Sequence, residues 1–158
     1  MGEKSWQDAY VVAKTKTQLV KAVLDEIHIS QEGKPEQNMI NELSFGYRVL
    51  EQKGKRVEAF LKVRVEGKST GTGERLLDID CVYKGIFERH EEDSDQNFID
   101  FVEIQAVPSL VPYVRSLLAF LSAQMGITPI ILPTMDIIQS LIDNSDMLKR
   151  DEMYDSSN

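Results

Sequence analysis

The chain has 158 residues, 42% hydrophobic and 28% charged, and a net charge of −8 at neutral pH. These values, with a mean hydropathy of −0.28, suit one domain spanning 1–158 that buries a core, and they exclude a disordered chain. A pI near 4.8 with scattered basic residues argues against nucleic acid as a partner, because phosphate binding needs clustered Lys and Arg.

Residues 5–24 form an N-terminal extension with a moderate helical pattern, weakened by Thr15 and Thr17. Glu26-Ile27-His28-Ile29-Ser30 alternates and predicts a strand. From Glu42 to Leu50 the alternation is clean, with Leu43, Phe45, Tyr47 and Val49 on one side and Glu42, Ser44, Gly46 and Arg48 on the other. Gln52-Lys53-Gly54 supplies a turn into a second clean strand carrying Val57, Ala59, Leu61, Val63 and Val65, so the two form an antiparallel hairpin. Phe60 interrupts the polar side of that strand; it is either covered by another surface or an isolated exposed aromatic. The glycine-rich stretch 67–74 lacks the spacing of a phosphate loop and is expected to be a hairpin connection. A further strand follows, with Leu77, Ile79, Cys81 and Tyr83 on one side and Asp78, Asp80 and Lys84 on the other.

The charged run 88–97 is expected to be a solvated loop, and Phe98, Phe101 and Val102 to mark a short helical turn ending before Pro108. Ser109 then caps a long helix that tolerates Pro112 in its first turn and ends at Gly126. Its apolar residues wrap too far round for one sheet: Leu110, Val114, Leu117, Leu118 and Leu121 make a stripe, and Tyr113 and Phe120 extend it onto a flank. Self-association is the economical explanation. Residues 128–133 are extended around two prolines, a second amphipathic helix starts near Met135, and 149–158 form a polar tail. No apolar run approaches the ~18 residues of a bilayer span, and the first residues do not make a leader, so a cytoplasmic protein without membrane insertion is expected.

Chemistry-bearing motifs are sparse. Cys81 is the single cysteine, which excludes an internal disulfide and predicts a small buried hydrophobe. The two histidines, His28 and His90, are far apart and have no metal-ligand spacing. With no nucleophile elbow, dinucleotide fingerprint or zinc-protease motif, the expectation is a non-enzyme without catalytic residues, cofactor or metal. Asp78 and Asp80 share a strand face but have no predicted cleft, so they are expected as surface charges.

Several strings resemble the SecB family of protein-export chaperones. Leu110-Val111-Pro112-Tyr113-Val114-Arg115 is similar to the family's Leu-Phe-Pro-Tyr-Ala-Arg at the start of its long helix. Lys84-Gly85-Ile86-Phe87 resembles its Gly-Gly-Ile-Phe, and Gly126-Ile127-Thr128-Pro129 through Leu132-Pro133 resembles its proline-containing connection to the last helix. The similarity spans roughly residues 24 to 145. It implies an α+β fold, a four-stranded antiparallel sheet with a long helix and a C-terminal helix on one face, oligomerising through the long helix as a dimer of dimers. It also implies an ATP-independent chaperone that holds unfolded preproteins in hydrophobic grooves and passes them to SecA in protein export. The alternatives are a SecB-like chaperone dedicated to one partner, of the toxin–antitoxin type, and an oligomeric adaptor without holding activity.

Residue by residue, the resemblance assigns Leu43, Phe45, Leu77, Met135, Ile138 and Ile142 to the client groove and Glu26, Asp78 and Asp80 to partner docking. Tyr113, Leu117, Phe120 and Leu121 are the oligomer-interface candidates. The pattern departs from the family at Ser30, where a further acid stands, around Gln37, where a large aromatic is usual, in residues 5–24, and in the acidic insert from Arg89 to Asp95.

Overall fold

A computed structural model describes residues 5–50, 54–89 and 94–144. Turn residues Gln52 and Lys53, His90 with the adjoining acids of the insert, and the polar tail lie outside them. Helix α1 (Trp6–Lys16) leads into strands β1 (Thr17–Gln31), β2 (Met39–Val49), β3 (Arg56–Ser69) and β4 (Arg75–Arg89), followed by helices α2 (Asp95–Met125) and α3 (Met135–Asn144). The strands form one antiparallel sheet in the order β1-β4-β3-β2.

The alternation of β3 and β4 decides the layers. Val57, Ala59, Leu61, Val63 and Val65 of β3, with Leu77, Ile79, Cys81 and Phe87 of β4, have no exposed surface and face the helices. Their neighbours Glu58, Lys62, Arg64, Glu66, Asp78, Asp80 and Lys84 occupy the opposite, helix-free face. The core is completed by Val107, Leu110, Val111, Val114 and Leu118 of α2 and by Ile138 and Ile142 of α3. A second cluster joins Val57, Ala59 and Phe87 to Phe98, Ile99, Val102 and Ala106 at the start of α2. Gly85 is required where the helix crosses β4: a Cβ there would sit 3.0–3.1 Å from Phe87, Leu110 and Leu19.

Four expectations need correction. The charged run 88–97 is not one loop, since Glu88 and Arg89 end β4 and Asp95 to Asn97 begin α2. Residues 5–24 are not one helix; the helix stops at Lys16 and Thr17–Leu24 is the first half of β1, because Thr17, Val20 and Val23 favour an extended chain that pairs with β4. The short turn before Pro108 and the helix from Ser109 are one continuous α2, capped by Ser94, whose hydroxyl accepts from the Asn97 N–H at 3.2 Å. Pro108 and Pro112 each remove a backbone donor, but the side opposite them is seated on the sheet through Val107, Leu110, Val111 and Val114, and that packing carries the helix through both. The undivided α2 is therefore long and apolar enough to cross a membrane by length and composition, contrary to the expectation of no such run. Here its inner side supplies the core of the sheet domain.

The end of α2 is held by a buried hydroxyl. Gly126 turns the chain at φ 66°, and fully buried Ser122 donates to the Leu118 carbonyl at 2.7 Å while accepting from the Ile130 N–H at 3.0 Å. Ser122 thus fixes the return segment on which α3 depends. Ser122→Ala leaves the Ile130 N–H buried without a partner, so thermal unfolding should show a loss of about 1–3 kcal/mol. Cys81 is fully buried, and desolvation pushes its thiol up to about 11. Iodoacetamide should label it at neutral pH only at the rate of unfolding, with fast labelling in denaturant; rapid labelling of the folded chain would refute that burial.

Candidate functional site

The helix-free face of the sheet is a lattice of cross-strand ion pairs. Arg64 on β3 donates to both Asp78 oxygens, each at 3.1 Å, and its guanidinium also lies 3.2 Å from Glu66. Lys62 meets Asp80 at 3.8 Å, Lys68 meets Glu42 at 3.0 Å, and Arg56 meets Glu88 at 2.9 Å. The Arg64 hydrogen bonds hold the Asp78 carboxyl below its ordinary range, and Asp78 in turn raises Arg64. The three docking candidates all lie on this face: in the β1–β4 register Glu26 stands opposite Val82, His28 opposite Asp80 and Ser30 opposite Asp78. Their environments differ. Glu26 is exposed, beside Asp25, Lys62 and Asp80, in a shallow hollow of about 610 Å³, whereas Asp78 and Asp80 have cations from β3 against them. The acidic surface anticipated there is largely neutralised at its centre.

The helix side carries the uncovered apolar surface. Of the groove candidates, Phe45, Leu77, Ile138 and Ile142 are buried in the core, and Leu43 and Met135 are half-buried against it. Other apolar residues are exposed: Leu24, Ile27 and Ile29 of β1, each about two-fifths exposed, and Ile131 before α3 with Ile137 and Leu141 on α3, while Val20 stands at a register shift and Ile40 opposite Lys68 on the helix-free face. On α2, Tyr113 is 43% and Phe120 60% exposed, while Leu117 and Leu121 are half-buried. Positions 113, 117 and 120 fall on one flank of the helix, and the Tyr113 ring lies 6.1 Å from that of Tyr83 on β4. Leu24 pairs with Tyr83, so the β1 strip and the α2 flank meet at this aromatic pair.

The β1 strip escapes a simple reading of alternation for a physical reason. The β1–β4 register shifts at Val20 and again at Asp25, and the second shift brings Leu24 and Ile27, three positions apart, onto the same face opposite Tyr83 and Cys81. A period of two assigns them to opposite faces. The alternation of Glu26 to Ser30 puts Ile27 and Ile29 on one face; that Leu24 joins them is set by the register shift alone.

The Arg64–Asp78 pair gives a pH dependence of defined sign. A carboxyl lowered on folding adds stability above its unfolded pKa, near 3.9, and that stability is lost as pH falls through the folded value. Asp78→Asn should therefore flatten the acid limb of stability against pH below about pH 4, measured by urea unfolding, and an unchanged limb would remove the pair from the balance.

No family model matches the chain, and no curated protein matches it. Solved structures do. The SecB-like chaperone of Mycobacterium tuberculosis, in complex with a ChAD peptide from an antitoxin, superposes with a TM-score of 0.66 at 14% identity, over 80% of this chain and 96% of that one. A protein of unknown function from Streptococcus agalactiae aligns with a TM-score of 0.43 at 11% identity, over 75% of this chain and 98% of that one. The chain has the SecB-like fold: a four-stranded antiparallel sheet with a long and a C-terminal helix on one face.

Proposed function

We propose that this protein is a non-enzymatic, ATP-independent chaperone that holds unfolded or extended client polypeptides. The observation that carries this reading is the uncovered apolar surface on the helix side of a SecB-like fold, where Leu24, Ile27 and Ile29 run up to Tyr83 and Tyr113. Burial of a client's apolar side chains on such a surface is worth about 25 cal/mol per Å² before ordering costs, enough to hold a non-native chain without nucleotide. Of the groove candidates, Leu77 lies on β4 beside β1, while Leu43 and Phe45 on the opposite edge strand β2, with Met135, Ile138 and Ile142 of α3, belong to the far side of the core. Leu117, Phe120 and Leu121 join copies of the chain into a cytoplasmic homo-oligomer, a dimer of dimers, with Tyr113 at the border between the two uses.

A client range narrower than general protein export is favoured by the helix-free face. Docking of SecA through Glu26, Asp78 and Asp80 needs open negative charge, and two of those carboxylates already face Lys62 and Arg64. The structural neighbour from Mycobacterium tuberculosis is bound to an antitoxin peptide. Together these support one dedicated client, with export through SecA as the broader alternative.

The purified protein should suppress aggregation of an unfolded client at near-stoichiometric ratio without nucleotide. Ile27→Ser with Ile29→Ser, both at exposed positions, should leave the fold intact and weaken client binding by about five- to tenfold. A folded, oligomeric protein that suppresses no aggregation would refute holding activity and leave the adaptor reading. Co-purification of one small protein supports dedication; many precursors together with SecA support export.

A further inference from the structure

Helix α1 is held by side-chain hydrogen bonds at both ends and lies along α2 between them, with Ala9 and Tyr10 half-buried. At its C-terminal end the buried Thr17 hydroxyl donates to the Gln105 side-chain oxygen of α2 and lies 3.2 Å from the Ala13 carbonyl. At its N-terminal end the Trp6 indole N–H and the Gln7 amide both donate to one oxygen of Asp136, in the first turn of α3, at 3.1 and 3.2 Å. Between these ends Ala13 is the one buried residue, and Val11 and Val12 point outward, 61% and 46% exposed. An isolated helix of 11 residues is marginal in water, so α1 keeps its shape by being docked. What it lies on is the flank of α2: Tyr10, Lys14 and Thr17 enclose an open hollow of about 510 Å³ with Gln105, Pro108, Pro112 and Tyr113. Tyr113 continues through Tyr83 to Leu24 and the exposed β1 strip.

We infer that α1 is a releasable strap, hinged at Thr17 and latched by Trp6 and Gln7 onto Asp136, which lies along the α2 flank at the border of the client surface and gives way to an extended apolar chain. The inference rests on the holding function proposed above and adds its regulation. The latch consists of two exposed hydrogen bonds to one carboxylate, weak enough to open on a local scale without unfolding the sheet. A client that extends from the β1 strip past Tyr113 onto α2 enters the hollow that Tyr10 and Lys14 share with Pro112 and Tyr113, so the fraction of molecules with the strap open scales the apparent affinity for such a client.

Trp6 is the only tryptophan in the chain, so its emission reports the latch directly. The full-length protein is titrated with reduced, carboxymethylated ribonuclease A, an unfolded chain without tryptophan, while Trp6 emission and acrylamide quenching are followed. Client binding should shift Trp6 emission to the red and increase quenching. Asp136→Ala should show the released emission without client and bind it about three- to tenfold more tightly. If Asp136→Ala loses helix by circular dichroism, Gln7→Ala, which leaves both Trp6 and α3 in place, should show the same change in smaller measure. Client binding with unmoved Trp6 emission, and equal affinity in the variants, would overturn the strap while leaving the holding function standing. If the folded proteins bind no client at all, the holding function fails and the strap's role falls with it.

Discussion

The seating of α2 across β3 and β4 is the constraint from which the other features follow. Leu110, Val114 and Leu118 on one side, and Leu61, Val63, Ile79 and Cys81 on the other, are all without exposed surface. Close packing of this kind tolerates neither a change of register nor a change of helix position, which is why β4 carries Gly85 where the helix comes nearest. A 31-residue helix is about 46 Å long, and only its inner side can be used by a sheet four strands wide. The fold therefore has surplus apolar surface by construction: the outer flank of α2, and the helix-side face of the edge strand β1 from Leu24 to Ile29. The proposed function draws on that surplus.

That constraint also accounts for what was legible in the amino-acid sequence. Where a strand is regular and buried on one side, as in β2, β3 and β4, alternation states both its existence and its direction, and Cys81 follows from its place in that pattern. Gly126 was legible as the end of α2 because a left-handed residue there suits glycine. The prolines misled, since local propensity ends a helix at Pro108 while tertiary packing on the far side continues it. The amino-terminal boundary was obscured by competition between helical and β-branched preferences around Thr15 to Val20.

The candidate site was less legible than the fold for a similar reason. Groove residues carried over by position, such as Phe45, Leu77 and Ile138, are apolar because they build the core, and an apolar residue's type does not say which side of a packed layer it serves. Exposure is decided by neighbours distant in sequence. Leu24 is set on the face of Ile27 and Ile29 by the register shift at Asp25, and the three are left open because the helix passes over the middle of the sheet. Likewise Asp78 and Asp80 show as paired acids along β4, and only the β3–β4 register places Arg64 and Lys62 within reach of them.

The two faces of the sheet thus separate two kinds of work. On the helix-free face, alternating charges pair across strands, and Arg64 and Arg75 together offset Asp78 and Glu66, so this face can meet water with little net field. On the helix side the chain exposes side chains that water solvates poorly, and the net charge of −8 keeps such a surface from joining indiscriminately to others. A chaperone needs that combination, because a surface apolar enough to hold an unfolded chain is equally able to aggregate with its own copies. A strap that lies over part of the surface and is latched by a carboxylate answers the same difficulty from the other direction. It occupies the α2 flank when no client is present, at the cost of two hydrogen bonds that must break when one arrives. Repulsion between acidic copies and partial cover by α1 are separate devices, acting at long and short range, against the one hazard created by the seating of α2.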